Sequence, residues 1–460
     1  MSTEGGTQAP IRHAIPWESP DFYDPGAIDE ELRRVFDICH GCRRCFNLCD
    51  SFPRLFDLID ASPTGELDGV DSADFAPVVE ACTLCDLCFI AKCPYVPPHA
   101  FDLDFPHLML RARAADHQAG KTPWVREQIT QTDRNGALGC KTASLANWAL
   151  KTENTPIRKG LEAVSGIHAR ADLPSFQSQT FVSEASKNPP SVNSLAPGFG
   201  QKVLLYATCF VNYNDASVGR AAQAVLAKNG IETVVLYPEC CGMPQWEHGD
   251  IQTVAEKALK IKEALLPWIS KGYTIVPLVP SCTLMITMEW PLLWPEDPEI
   301  RTLVENTQDL PAYIVGLARR HGLAPGLTSF KEGVTLHVAC HARAQNQGRK
   351  GEELLKLIPD TDVTVIERCS GHGGSWGIFK ENFDVALKVG KPVARKANEA
   401  SCGPCVSECP LAARHIQQGR EILAETQGQP SPQPMIFTHP IQILAHAWGL
   451  SFEDSHTGSL

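Results

Sequence analysis

The sequence predicts an α+β multidomain protein, with a mainly helical N-terminal domain followed by two α/β repeats. Eight of the 18 cysteines fall between Cys39 and Pro94, in two matched runs set among short helical stretches. Beyond residue 200, apolar strand-like runs alternate with amphipathic helical runs, the order that builds helices around a mainly parallel sheet. The alternation occurs twice, with cysteines at corresponding strand ends, so it reads as an internal repeat.

Bulk properties narrow the function classes. A chain of 460 residues has room for two to four domains with buried cores. Hydrophobic content of 43% and charged content of 20% are those of a globular protein. The formal charge is −12 and no lysine/arginine block stands out, so nothing favours nucleic acid or an anionic membrane surface as a partner. No apolar run approaches the roughly 20 residues of a transmembrane helix. This many cysteines without an export signal point to metal or redox chemistry in the cytoplasm rather than to disulfides.

Residues 1–28 read as a flexible leader, polar and rich in Gly, Pro and Glu. The next unit, 29–116, opens with a short helix over Glu31–Ile38 that feeds the first cysteine run. That run is Cys39-His-Gly-Cys42-Arg-Arg-Cys45-Phe-Asn-Leu-Cys49, and the second is Cys82-Thr-Leu-Cys85-Asp-Leu-Cys88-Phe-Ile-Ala-Lys-Cys93-Pro94. Three cysteines two residues apart with a fourth beyond form the ligand run of a ferredoxin-like two-cluster protein, in which the fourth cysteine crosses to the other cluster. One [4Fe-4S] cluster then takes Cys39, Cys42, Cys45 and Cys93, and the other takes Cys82, Cys85, Cys88 and Cys49. Zinc also binds Cys-x-x-Cys pairs, but two pairs suffice for one ion and the third cysteine of each run would have no role. Pro106 suits the first turn of a helix beginning near Leu108.

Residues 117–200 read as helical connections ending in a linker over 183–200. Cys140 stands alone there and reads as a small buried hydrophobe. The first repeat, 201–305, is expected to run strand Lys202–Ala207, a helix capped by Asp215 and stopped by Gly230, strand Ile231–Tyr237, helix Ile251–Ser270 and strand Tyr273–Val279. The second, 306–452, is expected to run strand Val334–Ala339, helix Glu352–Ile358, strand Val363–Glu367, helix Phe383–Ala397 and a last strand near Met435–Phe437. Cys209, Cys240-Cys241-Gly242 and Cys282 follow the strands of the first repeat. Cys340, Cys369-Ser370-Gly371 and Cys402-Gly-Pro-Cys405 follow those of the second. The carboxyl ends of parallel strands are where such sheets bind ligands.

The pattern Cys…Cys-Cys-Gly…Cys-x-x-Cys, repeated after two ferredoxin-like runs, resembles the cysteine-rich CCG-domain proteins. This family includes polypeptides of heterodisulfide reductase, the iron–sulfur subunit of glycolate oxidase and the C subunit of anaerobic glycerol-3-phosphate dehydrogenase. The resemblance spans roughly residues 30–450. It is best over Val365–Lys380 and at Thr438-His-Pro. It implies four-iron clusters in the N-terminal part, a metal or cluster site in each CCG repeat, and service as an electron-transfer subunit for a partner.

Three departures qualify it. Four residues rather than three separate Cys88 from Cys93, the family's last cysteine pair would need a cysteine at Val279, and Ser370 stands where the family has its second adjacent cysteine. Each repeat is left with four matched cysteines, Cys209, Cys240, Cys241 and Cys282 in one and Cys340, Cys369, Cys402 and Cys405 in the other. An iron–sulfur cluster or zinc can occupy either set, and Cys409 can replace a missing ligand. His341 and His372 lie beside these cysteines and can shuttle protons or donate to sulfur. As loop histidines they are equally well satisfied by backbone. The glycine-rich 371–377 lacks both the dinucleotide and the Walker register, so no flavin or NAD is expected on this chain.

The expected function is an iron–sulfur electron-transfer subunit. Its partner would be a flavoprotein dehydrogenase of 2-hydroxy acid or glycerol-3-phosphate type, and its acceptor a quinone or disulfide. The alternatives are a stand-alone thiol–disulfide reductase and a zinc-holding accessory protein of peroxide stress. The expected location is cytoplasmic, including the inner membrane face.

Overall fold

The computed structural model describes residues 5–6, 8–400 and 403–452. Two small sheets, both fully parallel, organise the C-terminal two thirds. The first has β1 (Lys202–Tyr206), β2 (Glu232–Leu236) and β3 (Thr274–Pro277) in the order β2-β1-β3. The second has β4 (Val334–His337), β5 (Val363–Ile366) and β6 (Cys405–Ser407) in the matching order β5-β4-β6. The strand of each repeat that comes first in sequence thus lies in the middle of its sheet. Crossover helices join the strands, as parallel pairing requires. They are Ala216–Lys228 and Ile251–Ile269 in the first repeat, and Lys350–Leu355 and Phe383–Glu399 in the second. Asp215 caps its helix through the Ser217 N–H at 3.2 Å.

Alternation along the strands decides where this core sits. Leu204, Tyr206 and Ile275 point into a core shared with Phe36, Phe52 and Met109 of the N-terminal domain. Val203, Leu205 and Val276 point the other way, into a core shared with Val334, Leu336 and Leu444 of the second repeat. The first repeat is therefore sandwiched between its neighbours. The N-terminal domain is built on helices Pro25–Cys42, Ser51–Asp60, Ala76–Ala81 and Phe105–Gln118, with no strand among its described residues. The helix before the first cysteine run is longer than the sequence suggests because Asp24 accepts from the Ala27 N–H and starts it early.

The structure differs from expectation at three places. No strand forms at Met435–Phe437, where Phe437 instead packs on Phe330. The sixth strand is Cys405–Ser407, only three residues long and embedded in Gly/Pro texture that reads as loop. The stretch read as a linker opens with helix Phe181–Lys187 and then docks on the first repeat, with the Asn193 N–H donating to Ala227 O at 2.9 Å.

The stretch read as a leader is packed over its described residues. Gly6 and Ile11 donate to the carbonyls of Pro94 and Pro97 at 2.7 and 3.0 Å, and Ile15 donates to Leu292 O at 2.8 Å. Arg12 lies at the centre of this strap, bonded to Asp86 (2.7 Å), Asp104 (2.9 Å) and Glu289 (3.1 Å), with its guanidinium 4.4 Å from the Phe89 ring centroid. A buried guanidinium with three carboxylates satisfies its donors in several directions.

Candidate metal and electron-transfer site

The two cysteine runs fold so that each fourth cysteine meets the opposite run. Burial raises the Cys39 thiol, and Cys93, Cys45 and Cys42 act on it as neighbouring charges. Cys45 is pushed up to about 12 by burial, with Cys93 again the nearest contributor. Burial likewise raises Cys49, whose neighbours are Cys85 and Cys82, and Cys88, whose neighbours are Cys82, Cys85 and Cys49. Cys88 and Cys93 are joined by a single wide turn over 88–92, in which the Cys93 N–H donates to Cys88 O at 2.8 Å. The extra residue before Cys93 is absorbed there. The Tyr95 N–H points at the Cys93 sulfur from 3.4 Å.

In the α/β repeats every strand ends in a turn that delivers a cysteine. After β1, Thr208 adopts a positive φ of 52° and caps the short helix that begins at Cys209. After β2, the Cys240-Cys241 turn closes on Gly242 at φ 91°, a backbone state that suits glycine. After β3, Cys282 sits in the first turn of Pro280–Leu284. The sulfurs of Cys209 and Cys240 lie 3.8 Å apart, and those of Cys241 and Cys282 lie 3.1 Å apart.

The second repeat repeats this placement with different residues. Cys340 opens the helix after β4 and Cys369-Ser370 follows β5. After β6 the helix Pro410–Gln427 is preceded by Cys409, which caps it as Val279 caps Pro280–Leu284 in the first repeat, so Cys409 stands where that repeat has Val279. The members of the expected second set, Cys340, Cys369, Cys402 and Cys405, are therefore placed differently from one another. Cys405 lies on β6 opposite Thr335 and packs with Ile366, Val393, Ala397 and Ile416 in a small core. Cys402 lies outside the described residues. A glycine at 371, with φ 82°, lets the turn press on the next helix, since a Cβ would stand 2.0 Å from Ala386 O. Contact with this helix, rather than a phosphate, accounts for the glycine.

Both sets open on one cavity of about 480 Å³. Its walls include Cys85 of the N-terminal domain, Cys209, Cys240, Cys241 and Cys282 of the first repeat, and Cys340, Cys369 and Cys409 of the second. Electrostatics across it couple the three units. Cys85 is pushed up to about 12 by burial and then by Cys369, while Cys340 is raised by burial and then by Cys85, Cys369 and Cys409. Ile129, Leu150, Phe176, Phe210 and Phe383 supply an apolar side.

The two predicted histidines both line this cavity. His341 bridges all three units, with Nδ1 2.8 Å from Ser281 Oγ and Nε2 3.4 Å from Leu84 O, and burial lowers its pKa. His372 is lowered to about 3 by burial. Sequence reasoning missed His337, His415 and Glu247 at the same walls. The Nε2 of His415 is buried without a hydrogen-bond partner. Burial pushes Glu247 up to about 8. It also missed Asp133, in the helical stretch read as chemically silent. Asp133 accepts from the Cys240 N–H (3.2 Å), the Tyr237 hydroxyl and Lys257 Nζ (3.1 Å). No local motif signals this residue. Cys140 is buried, as expected, with its sulfur 3.7 Å from Tyr213 O.

Among the described residues no group of three or more His, Cys, Asp or Glu side chains is arranged to hold a single metal ion. No described helix is long and apolar enough to cross a membrane.

The cysteine-rich domain family CCG matches residues 203–287 and 334–417, which are the two repeats. The chain is 26% identical over 323 residues to the C subunit of anaerobic glycerol-3-phosphate dehydrogenase from Escherichia coli K12, covering 69% of this chain and 76% of that protein. It is 30% identical over 188 residues to lactate utilization protein A of Bacillus pumilus, covering 38% of this chain and 75% of that protein. An iron–sulfur protein of Methanocaldococcus jannaschii is 27% identical over 227 residues, 49% of this chain and 42% of that protein. With two copies of the domain and cysteines at the same strand ends of each, the chain belongs to the CCG family of cysteine-rich proteins.

Proposed function

We propose that the chain is the iron–sulfur electron-transfer subunit of an oxidoreductase. Electrons would come from a partner flavoprotein dehydrogenase and leave at the cavity between the CCG repeats. The observation that carries this reading is that Cys85 shares one cavity with the cysteines of both repeats. The donor chemistry fits the group the family implies. Each N-terminal set is four sulfurs, and burial keeps most of these thiols protonated unless a cation offsets the charge of the thiolates. Cys39, Cys42, Cys45 and Cys93 would hold one [4Fe-4S] cluster, and Cys82, Cys85, Cys88 and Cys49 the other. Bound there, such clusters supply one-electron transfer at potentials tuned by charge, hydrogen bonds to sulfur and exposure.

The chain's own residues insulate and orient this path. Arg113 donates to the carbonyls of Val79 (2.6 Å) and Cys82, fixing the entry to the second run. His341 joins the Leu84 carbonyl to Ser281 and so aligns Cys85 with Cys282 and Cys340. The cavity's apolar side supports a quinone as acceptor over a charged disulfide. The close approach of Cys241 and Cys282 favours a second reading, a thiol–disulfide reductase working at that pair.

Anaerobic iron analysis with electron paramagnetic resonance tests the proposal. About eight irons per chain correspond to the two N-terminal clusters, and about twelve or more add the repeats. Zinc with little iron would sink it. Cys85→Ser should remove one N-terminal cluster signal, and its retention would overturn the ligand assignment.

A further inference from the structure

Residues 132–150 form one wall of the cavity and present a second face to the outside. Helix Thr132–Lys141 passes into helix Ala143–Leu150 through Thr142 alone. Thr142 lies off the helical region at φ −116° and ψ 24°, and hydrogen bonds span it, its N–H donating to Leu138 O at 3.1 Å and its carbonyl accepting from the Ala146 N–H at 2.9 Å.

The inward face is tightly seated. Asn135, Gly136 and Leu150 line the cavity. A Cβ at Gly136 or Gly139 would stand 2.2 or 2.3 Å from the rings of Tyr213 and Phe176. Asn147 brackets Phe176, accepting from its N–H at 2.7 Å and donating to its carbonyl at 2.8 Å.

The outward residues are Arg134, Leu138 and Lys141 on the first helix and Leu145 and Trp148 on the second, spaced by three and four within each helix, with Lys151 following in extended backbone; all six are exposed. Leu138, Leu145 and Trp148 are 56, 66 and 51% exposed, and helix Ala143–Leu150 has no buried residue. Between Arg134 and Lys151 the sequence holds three cations and no Asp or Glu, in a chain of net charge −12. Among the described residues none of the three cations pairs with a carboxylate, and Arg134 donates to the neutral Gln128 Oε1 at 2.7 Å.

Exposed Leu and Trp interleaved with cations on a seated helical pair is the pattern of a segment that lies in a lipid interface. Tryptophan and the long cationic side chains both settle at headgroup depth. We propose that the outward face of residues 134–151 docks on an anionic bilayer surface, in the plane of the headgroups and without crossing it. The acid-free charge of the stripe favours anionic lipid over a protein partner, which would leave complementary cations and carboxylates to be matched. Docking in this way sets the cavity wall against the membrane. Delivery of an apolar acceptor from the lipid would follow only if the proposed function holds, whereas docking itself is measured without turnover.

Flotation of the anaerobically purified full chain tests this, with vesicles of phosphatidylcholine plus phosphatidylglycerol against phosphatidylcholine alone. The chain should float with the anionic vesicles only and be released by salt. Lys141→Glu with Lys151→Glu should weaken partitioning by about 10-fold or more. Leu145→Glu with Trp148→Glu should do the same, while iron content and circular dichroism stay unchanged. No flotation, equal flotation on both vesicles, or flotation indifferent to both double variants overturns the proposal. So does loss of a co-purifying protein in these variants without any vesicle binding, which would assign the face to a protein interface.

Discussion

The turn after the second strand of the first repeat carries Cys240 and Cys241, and the same turn of the second repeat carries Cys369 and Ser370. The turn after the third strand carries Cys282 in one and Cys409 in the other. Four sulfurs in two close pairs therefore face three sulfurs and a hydroxyl across one cavity. The second repeat makes up its difference in nitrogen, with His337, His341, His372 and His415 on its walls. Its histidines are held neutral by burial, His337 and His415 at about 4. The strand order is the same in both, so the frame can be kept while the ligand set at its strand ends changes.

Breaking the first repeat at its sulfur pair should have the largest effect. Cys241→Ser should abolish the metal signal of that repeat and cut electron transfer by more than the roughly 10- to 100-fold that outer-shell partners cost. Ser370→Cys, by contrast, should raise iron content in the second repeat if the missing thiol is what distinguishes the two. Unchanged iron in both variants would dissolve the comparison.

The repeats also differ in how they hold the N-terminal domain. Arg12 fastens that domain to the first repeat through Glu289, whereas the second repeat meets it through His341 at Leu84 and through Gly373 beside Thr83. Arg12→Met leaves three carboxylates without their cation, two of them almost fully buried, and should destabilise by about 3–5 kcal/mol in denaturant unfolding. A loss under about 1 kcal/mol would mean that the strap is not seated in solution.

A milder pair of variants separates core from site in the second repeat. Cys405→Ala should cost about 1–2 kcal/mol with metal content unchanged, because it only opens space beside Ile366 and Val393. Cys409→Ser should leave stability near wild type and reduce metal. The opposite outcome would return Cys405 to the ligand set.

The smallest effect is a pH slope. Burial holds the Glu408 carboxyl up at about 7, beside the Ala339 N–H that it accepts at 2.9 Å. Its folded pKa exceeds its unfolded one, so the folded state binds the extra proton between them. The contribution of Glu408 is full below about 4.5 and fades as pH rises through about 7. Glu408→Gln should flatten that decline in a stability–pH series, and an unchanged slope would rule Glu408 out as its source.

Much of this was readable in the chain. Cysteines two residues apart, the Cys-Cys-Gly turn and the alternation of apolar runs are local signals, and five of the six strands fall within expected segments. The sixth strand escaped because three residues among glycine and proline carry no periodicity. Without that strand in view the sequence places Cys402 and Cys405 at a strand end, whereas Cys405 lies on the strand and Cys409 follows it. Asp133 and Glu247 escaped for another reason. Their role depends on which distant backbone they meet, Cys240 in one case and the Ser375 loop in the other. The docked leader could not be anticipated either, since Arg12 finds its carboxylates 74, 92 and 277 residues away.

That last separation bears on how the chain matures. During synthesis the strap emerges first, yet its docking partner Glu289 is made only after both cysteine runs and most of the first repeat. Its other partners, Asp86, Pro94, Pro97 and Asp104, are made with the second cysteine run or just after it. Arg12 thus ties together parts of the chain made far apart in time, the second cysteine run through Asp86 and the first repeat through Glu289.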